Sequence, residues 1–176
     1  MILRYAAVND IDDIIKIETS AFIREIQEDK NVFEERIKIF PGGFIIFETE
    51  SPHAAAGYFS SERWKFVPED DEDFKIGHSI RKKHDPYGGV LYITSFALFP
   101  QFRGRGMGPS VFTASLDFII KNEAASGRPL KTLLLMVNEE WKRAVNIYIN
   151  CGFKTVRKIS GVFPHSDGLI MKKDIL

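Results

Sequence analysis

Two groups of residues in this chain are spaced for chemistry. The stretch QFRGRGMG, residues 101–108, puts three glycines into eight positions directly behind an apolar run. Glycine costs backbone entropy inside a helix or strand. At the junction of a buried strand and a helix it permits a tight turn and a close approach by a ligand. The helix N-terminus behind such a turn offers unpaired N–H groups and a partial positive charge, which together cradle an anion, most often phosphate. A glycine turn that merely joins two elements has the same spacing, so the loop alone leaves both readings open. Two nucleotide motifs are excluded. A P-loop needs Lys-Ser/Thr after its last glycine, and Met107-Gly108-Pro109 stands here instead. A dinucleotide fingerprint needs its glycines after the first strand, with an acid about 20 residues on, and neither condition is met.

The second group is acid–base. Glu18 shares a helix face with Ile11, Ile14 and Ile15. It reads either as a rim carboxylate bonded to backbone or as a base beside a site. Glu62, at a strand end, is an alternative. No carboxylate or histidine lies within 90–99, so a water chain past Tyr92 and Thr94 is a further route for a proton. Tyr148 falls on the apolar stripe of its helix, and by itself it reads as a packing residue. Cys151 reads as a packed thiol, with no histidine paired to it. His84 and His165 lie in polar loops, and their spacing suggests no metal site. The acidic run 69–73 is a solvated surface or an attractor for a cationic amine.

The elements that must position these residues follow from periodicity. Residues 2–8 read as a strand, followed by N-cap chemistry at Asn9 and Asp10 and a helix with Ile11, Ile14, Ile15 and Phe22 on one face. A second helix spans about 29–39 and ends at Pro41-Gly42-Gly43. GFIIFETE and AAAGYFSSERW form a hairpin. Residues 65–89 are polar, acidic in front and basic behind, and read as a long surface loop with a helical turn. VLYITSFALF is a buried strand stopped by Pro100. A helix after the glycines carries Val111, Phe112, Leu116, Ile119 and Ile120, with Pro109 in its first turn. LKTLLLMV is another buried strand. Trp141, Ala144, Val145, Tyr148 and Ile149 mark a helix closed by Gly152. FKTVRKI and GLIMKKDI are the last strands. The result is a mixed α/β sheet of about seven strands and about four helices, with a βαβ crossover around the glycines.

Composition bounds the function. The chain has 176 residues, with 44% hydrophobic and 27% charged, which suits one domain over 1–176. Lys+Arg and Asp+Glu both number 24, so net charge gives no general pull toward nucleic acid or an anionic membrane. One cysteine excludes an intrachain disulfide, and a cytoplasmic location is expected. No signal peptide or membrane span is read in the sequence.

Arg103, Gly106 and Gly108 fit R/Q-x-x-G-x-G, and LFPQFRGRGMG resembles the acetyl-CoA signature of the Gcn5-related N-acetyltransferase (GNAT) superfamily. VNEEWKRAVNIYINCGF resembles a second motif of that superfamily, carried by Asn138, Ala144, Tyr148, Gly152 and Phe153. The resemblance covers essentially the whole chain. It implies direct acetyl transfer from acetyl-CoA, a cosubstrate, to a primary amine of a small molecule or peptide, with no metal. It implies that Arg103, Gly104, Arg105, Gly106, Met107 and Gly108 wrap the pyrophosphate. Leu98 and Phe99 would meet the pantetheine arm where two parallel strands splay, and Asn138 would lie near that arm. Tyr148 would protonate the thiolate. Glu18 is the base or a substrate contact, with Tyr92 and Thr94 near the substrate. Trp141 stands where the family commonly has Asn. A weaker similarity, in IETSAF and HDPYGGVLYITSFALFP, is to the arylalkylamine N-acetyltransferase branch, but Tyr92-Ile93-Thr94 replaces that branch's His-x-His, so its specificity does not transfer. The partners on this reading are acetyl-CoA and an amine, without nucleic acid or membrane and with room for a homodimer. A non-catalytic acetyl-CoA sensor is the alternative.

Overall fold

The computed structural model describes residues 1–104 and 106–176. Its strands are β1 (Ile2–Tyr5), β2 (Phe44–Glu48), β3 (Ala55–Trp64), β4 (Val90–Leu98), β5 (Thr132–Asn138), β6 (Lys154–Phe163) and β7 (Ser166–Asp174). Its helices are α1 (Ile11–Ala21), α2 (Lys30–Ile39), α3 (Met107–Ala125) and α4 (Lys142–Asn150). The strands form one sheet in the order β1-β2-β3-β4-β5-β7-β6, antiparallel throughout except for the parallel pair β4·β5. This is the mixed α/β architecture expected from the residue pattern.

Two boundaries differ from the periodicity. The first strand stops at Tyr5 rather than Val8, because the Asp10 carboxylate accepts the Ala7 N–H at 2.7 Å and holds Arg4 at 2.8 Å, which turns the chain early. Residues 65–89 are a pinned connection rather than a free surface loop. Two short 3-10 turns within it bury Phe74 and Ile80.

Strand alternation sorts the core onto the two sheet faces. Odd residues such as Ile45, Phe47, Phe59, Leu91, Leu133 and Leu135 pack under the α3 stripe of Val111, Phe112, Leu116 and Ile119. Even residues Phe44, Ile46 and Tyr58 pack under Ile11, Ile14 and Ile17 of α1 and Phe33 and Ile37 of α2. Tyr92, Leu134 and Ile170 continue that second face beneath Trp64 and Phe74.

Two irregularities in β4 break the regularity of the sheet at its centre. Ser60 pairs with Ser95 and Ser61 with Ile93, which leaves Thr94 as the extra residue of a β-bulge. The bulge reverses the alternation, so Ala97 rather than Phe96 reaches the α1/α2 face. The β4·β5 pairing then runs only from Val90↔Thr132 to Ile93↔Leu135, although β4 continues to Leu98 and β5 to Asn138. Beyond Ile93 the two strands splay.

Candidate active site

The splay opens into a cavity of about 1060 Å³. Glu18, Tyr92, Thr94, Leu98, Arg103, Gly104, Gly106, Gly108, Asn138 and Tyr148 all line it, so ten residues singled out from the sequence meet at one place. Phe99 and Met107 do not line it, and Arg105 lies outside the described residues.

At one end stands the glycine turn. Gly104 and Gly106 have φ of +75° and +74°, and nothing lies within 4 Å of where a Cβ would be. Glycine is therefore required there by backbone conformation and not by crowding from the protein. Gly108 is different: it sits inside α3, where a Cβ would meet Ile147 of α4 at 3.4 Å. Gly106 is the N-cap of α3 and no side chain caps the helix. Among the described residues, the first-turn N–H groups of this 19-residue helix thus have no side-chain cap beside the cavity. Pro109, which has no N–H, occupies the third helical position at no cost in hydrogen bonding.

The open edge of β4 is the second feature. Phe99 N–H donates to Ala56 O at 2.9 Å, so the sequence reading of Phe99 as a free backbone partner is corrected: its amide is committed to β3. Alternation along the strand turns the Leu98 and Phe96 backbone groups toward the splay instead. The Leu98 carbonyl accepts Arg103 Nε at 2.8 Å, which ties the glycine turn to the strand end. Asn138 is also less free than expected. Its Nδ2 donates to Ser166 Oγ at 2.7 Å, and its Oδ1 accepts the Glu140 N–H at 2.8 Å, holding the β5–α4 turn.

Tyr148, on α4, packs beside Phe112 with ring centroids 5.0 Å apart. Burial, with a smaller push from Cys151, raises its hydroxyl pKa, so the proton stays on at neutral pH. Trp141, at the start of α4, lies between Phe22 at 5.7 Å and Phe163 at 5.5 Å and joins the end of α1 to β6 across the cavity.

The far end of the cavity carries charge of both signs, with Glu18 and Glu28 beside Arg36, Lys75 and His78. Glu18 is 1% exposed. Its Oε1 accepts the Glu28 N–H at 2.9 Å and its Oε2 accepts the Tyr58 hydroxyl. Burial lifts its pKa to about 7, against the lowering effect of those two hydrogen bonds. Glu62, the alternative base, is locked elsewhere. It accepts Arg36 Nε at 2.9 Å and Trp64 Nε1 at 3.0 Å and lies 2.9 Å from His78 Nε2. Burial alone would raise its pKa, but His78 and Arg36 outweigh that and lower it, so it remains an ionised carboxylate and a poor proton acceptor. Thr94 lines the cavity with its hydroxyl donated to Ser60 Oγ at 2.9 Å. Tyr92 stacks on Trp64 at 4.1 Å.

Sequence reasoning missed Tyr58, Ser95, Glu28, Arg36 and His78. Arg36 had one legible signal, since it shares the stripe of Phe33 and Ile37. Ser95 had none, because only the bulge brings it to this side.

The chain matches no family model and no curated protein. Solved structures do resemble it. The loading GNATL domain of CurA from Lyngbya majuscula superposes with TM-score 0.77 at 18% identity, covering 98% of this chain and 96% of that one. The GphF GNAT-like decarboxylase, solved with isobutyryl-CoA, gives 0.76 at 17% identity, covering 99% of both chains. The ribosomal-protein-S18-alanine N-acetyltransferase from Escherichia coli gives 0.71 at 15%, covering 99% of this chain and 93% of that one. This chain has the GNAT fold. The arylalkylamine branch is not singled out by that likeness. In the GNAT fold of this chain, the splay, the glycine turn and Tyr148 belong to a single crossover, β4-α3-β5, and the helix that follows it. Among the described residues no helix is long and apolar enough to cross a membrane.

Proposed function

We propose that this chain transfers an acetyl group from acetyl-CoA to a primary amine. The observation that carries the reading is that one cavity joins the uncapped N-terminus of α3, the open β4 edge and Tyr148. The uncapped N–H groups suit a pyrophosphate. The Leu98 and Phe96 backbone groups suit the amides of a pantetheine arm, which would satisfy polar groups that are costly to bury unpaired. Lys142 and Arg143 also line the cavity and add positive charge. Acetyl-CoA supplies the activated acyl group. Tyr148, still protonated at neutral pH, gives its proton to the thiolate sulfur. Glu18 is the base that frees the amine.

At the acceptor end Glu18 and Glu28 line the cavity together with Arg36, Lys75 and His78. The Arg36 guanidinium is bonded to Glu28 and Glu62, which leaves Glu18 as the carboxylate there that receives a proton. The Glu28 charge adds to the upward push that burial exerts on the Glu18 pKa.

The test is thiol release from acetyl-CoA with a panel of primary amines, beside thermal melts. Acetyl-CoA and CoA at about 100 times their dissociation constants should stabilise the fold by roughly 2.7 kcal/mol, and NAD should not. Binding without turnover of any amine would favour the sensor. An equal shift with NAD would sink the CoA assignment.

A further inference from the structure

Glu18 is reached from the cavity by a chain of hydroxyls. Ser95 lines the cavity at the splay. Its Oγ lies 2.7 Å from Tyr58 Oη, and Tyr58 donates to Glu18 Oε2. The direction of the chain is fixed by counting hydrogens. Tyr58 has a single hydroxyl hydrogen, and with Glu18 ionised that hydrogen goes to the carboxylate. Ser95 must then donate to Tyr58, and its oxygen lone pairs are left to accept a hydrogen from the cavity side. Glu18 also borders a second hollow of about 400 Å³ on the α1/α2 side, lined with Thr19, Gln27 and Asp29. The carboxylate therefore stands between the cavity and the outer surface.

We propose that Ser95, Tyr58 and Glu18 form a proton path that carries a proton from the acceptor ammonium in the cavity toward the α1/α2 surface. The inference rests on the amine-acylation reading and specifies how its base is reached. The ammonium N–H proton passes to Ser95 Oγ as the Ser95 proton passes to Tyr58 Oη and the Tyr58 proton passes to Glu18 Oε2. At each hydroxyl oxygen one O–H bond forms as one breaks, and the N–H bond broken at the amine is balanced by the O–H bond formed on Glu18. The amine ends neutral and Glu18 ends as a neutral carboxyl, which then loses its proton through the outer hollow.

The surroundings suit both states of Glu18. Burial raises its pKa to about 7, so either protonation state is reached near neutrality. Of the charged groups packed against it, Glu28 raises that value and Arg36 lowers it. Tyr58 faces it from β3, and burial holds the phenol well above its ordinary pKa, so Tyr58 relays a proton without ionising. The β4 bulge is what makes the path. With Thr94 as the extra residue, Ser95 falls on the face of Tyr58 and Ala97. Without the bulge the alternation would set Thr94 and Phe96 on that face and turn Ser95 to the other.

The test compares two amines of equal size, an alkylamine protonated at the assay pH and a fluorinated analogue that is neutral there. Tyr58→Phe and Ser95→Ala each interrupt the hydroxyl chain. With the ammonium substrate, kcat/KM should fall on the order of 100-fold in both variants, the lower range for loss of a positioned acid–base group. With the neutral amine both should stay near wild type: the single proton its nitrogen loses after attack replaces the one Tyr148 gives the thiolate, so none has to reach Glu18. Acetyl-CoA affinity by calorimetry should be unchanged in both. Equal losses with the two amines would overturn the path, since disturbed packing treats them alike. Near-wild-type rates with the ammonium would overturn it too, since Glu18 would then be taking the proton directly. Ser95→Ala removes only one oxygen at the cavity wall, so it decides the matter if Tyr58→Phe fails to fold. Failure of the underlying reading looks different: wild type itself would bind acetyl-CoA and acylate neither amine.

Discussion

Tyr148 and Glu18 are alike in one respect: each is a buried ionisable group whose neutral form burial favours, and for each that suits a proton-transfer role. A phenol held protonated is a donor at neutral pH, and a carboxyl with pKa about 7 is poised to accept. Tyr148→Phe keeps the ring against Phe112 and removes only the hydroxyl. We expect kcat to fall roughly 100- to 10,000-fold, the range for a positioned general acid. The dissociation constant for acetyl-CoA and the melting temperature should scarcely change. Steady-state kinetics beside calorimetry reads this directly. Turnover near the wild-type rate would make Tyr148 a packing residue and assign the thiolate's proton to another group.

At the scale of elements, the site is made by β4 failing to be regular. Its bulge at Thr94 exchanges which side chains face α1, and its departure from β5 after Ile93 opens backbone that a continuous sheet would have paired. The turn into α3 completes it through two left-handed glycines. Any other residue at Gly106 costs roughly 1–2 kcal/mol in that conformation, and asparagine or aspartate costs least. Gly106→Ala adds that strain without charge. Gly106→Asp adds less strain but sets a carboxylate at the helix N-terminus, where it competes with an anion. The expected outcome is a far greater loss of CoA affinity in the aspartate variant, on the order of 100-fold or more, with circular dichroism unchanged in both. If calorimetry finds the two variants equally affected, the loop acts only as a hinge and the pyrophosphate binds elsewhere.

Across the whole molecule, α2, β3 and the 65–89 connection are held by one buried ionic network. Arg36 is 1% exposed and bonds Glu28 and Glu62, and His78 closes on Glu62 from the connection. Arg36→Ala strands Glu28 without a charge partner and leaves Glu62 with only His78 and Trp64. Removing one partner of a buried pair costs about 3–5 kcal/mol, a large share of a typical domain's stability. Urea denaturation should show a loss of that size. A change below about 1 kcal/mol would mean that water reaches these groups and supplies the missing partner. Glu28, Arg36 and His78 of this network line the acceptor end of the cavity, so stability and the charge of that end are not separable here.

Much of this was legible along the chain. The seven strands and four helices followed from periods of 2 and 3.6, because each element buries one face and the apolar residues mark it. The glycine turn and the residues Asn138, Tyr148 and Gly152 around α4 could be found because their roles depend on near neighbours in sequence. What the sequence could not determine is everything that depends on long-range register. Phe99 looked free, but its amide is paired with Ala56, far back along the chain in β3. Tyr92 and Thr94 were read as flanking a proton route, but a single extra residue in β4 brings Ser95 onto the face of Tyr58. Glu18 was visible as an acid on an apolar stripe, whereas its partners, Tyr58 from β3 and Ser95 from β4, lie two and three elements further along the sheet-forming part of the chain. Helix and strand periods are local properties of the backbone, so the sequence by itself determined the elements. A bulge, a splay and a buried hydroxyl chain depend on how strands far apart in sequence pair, and only the tertiary structure decided them.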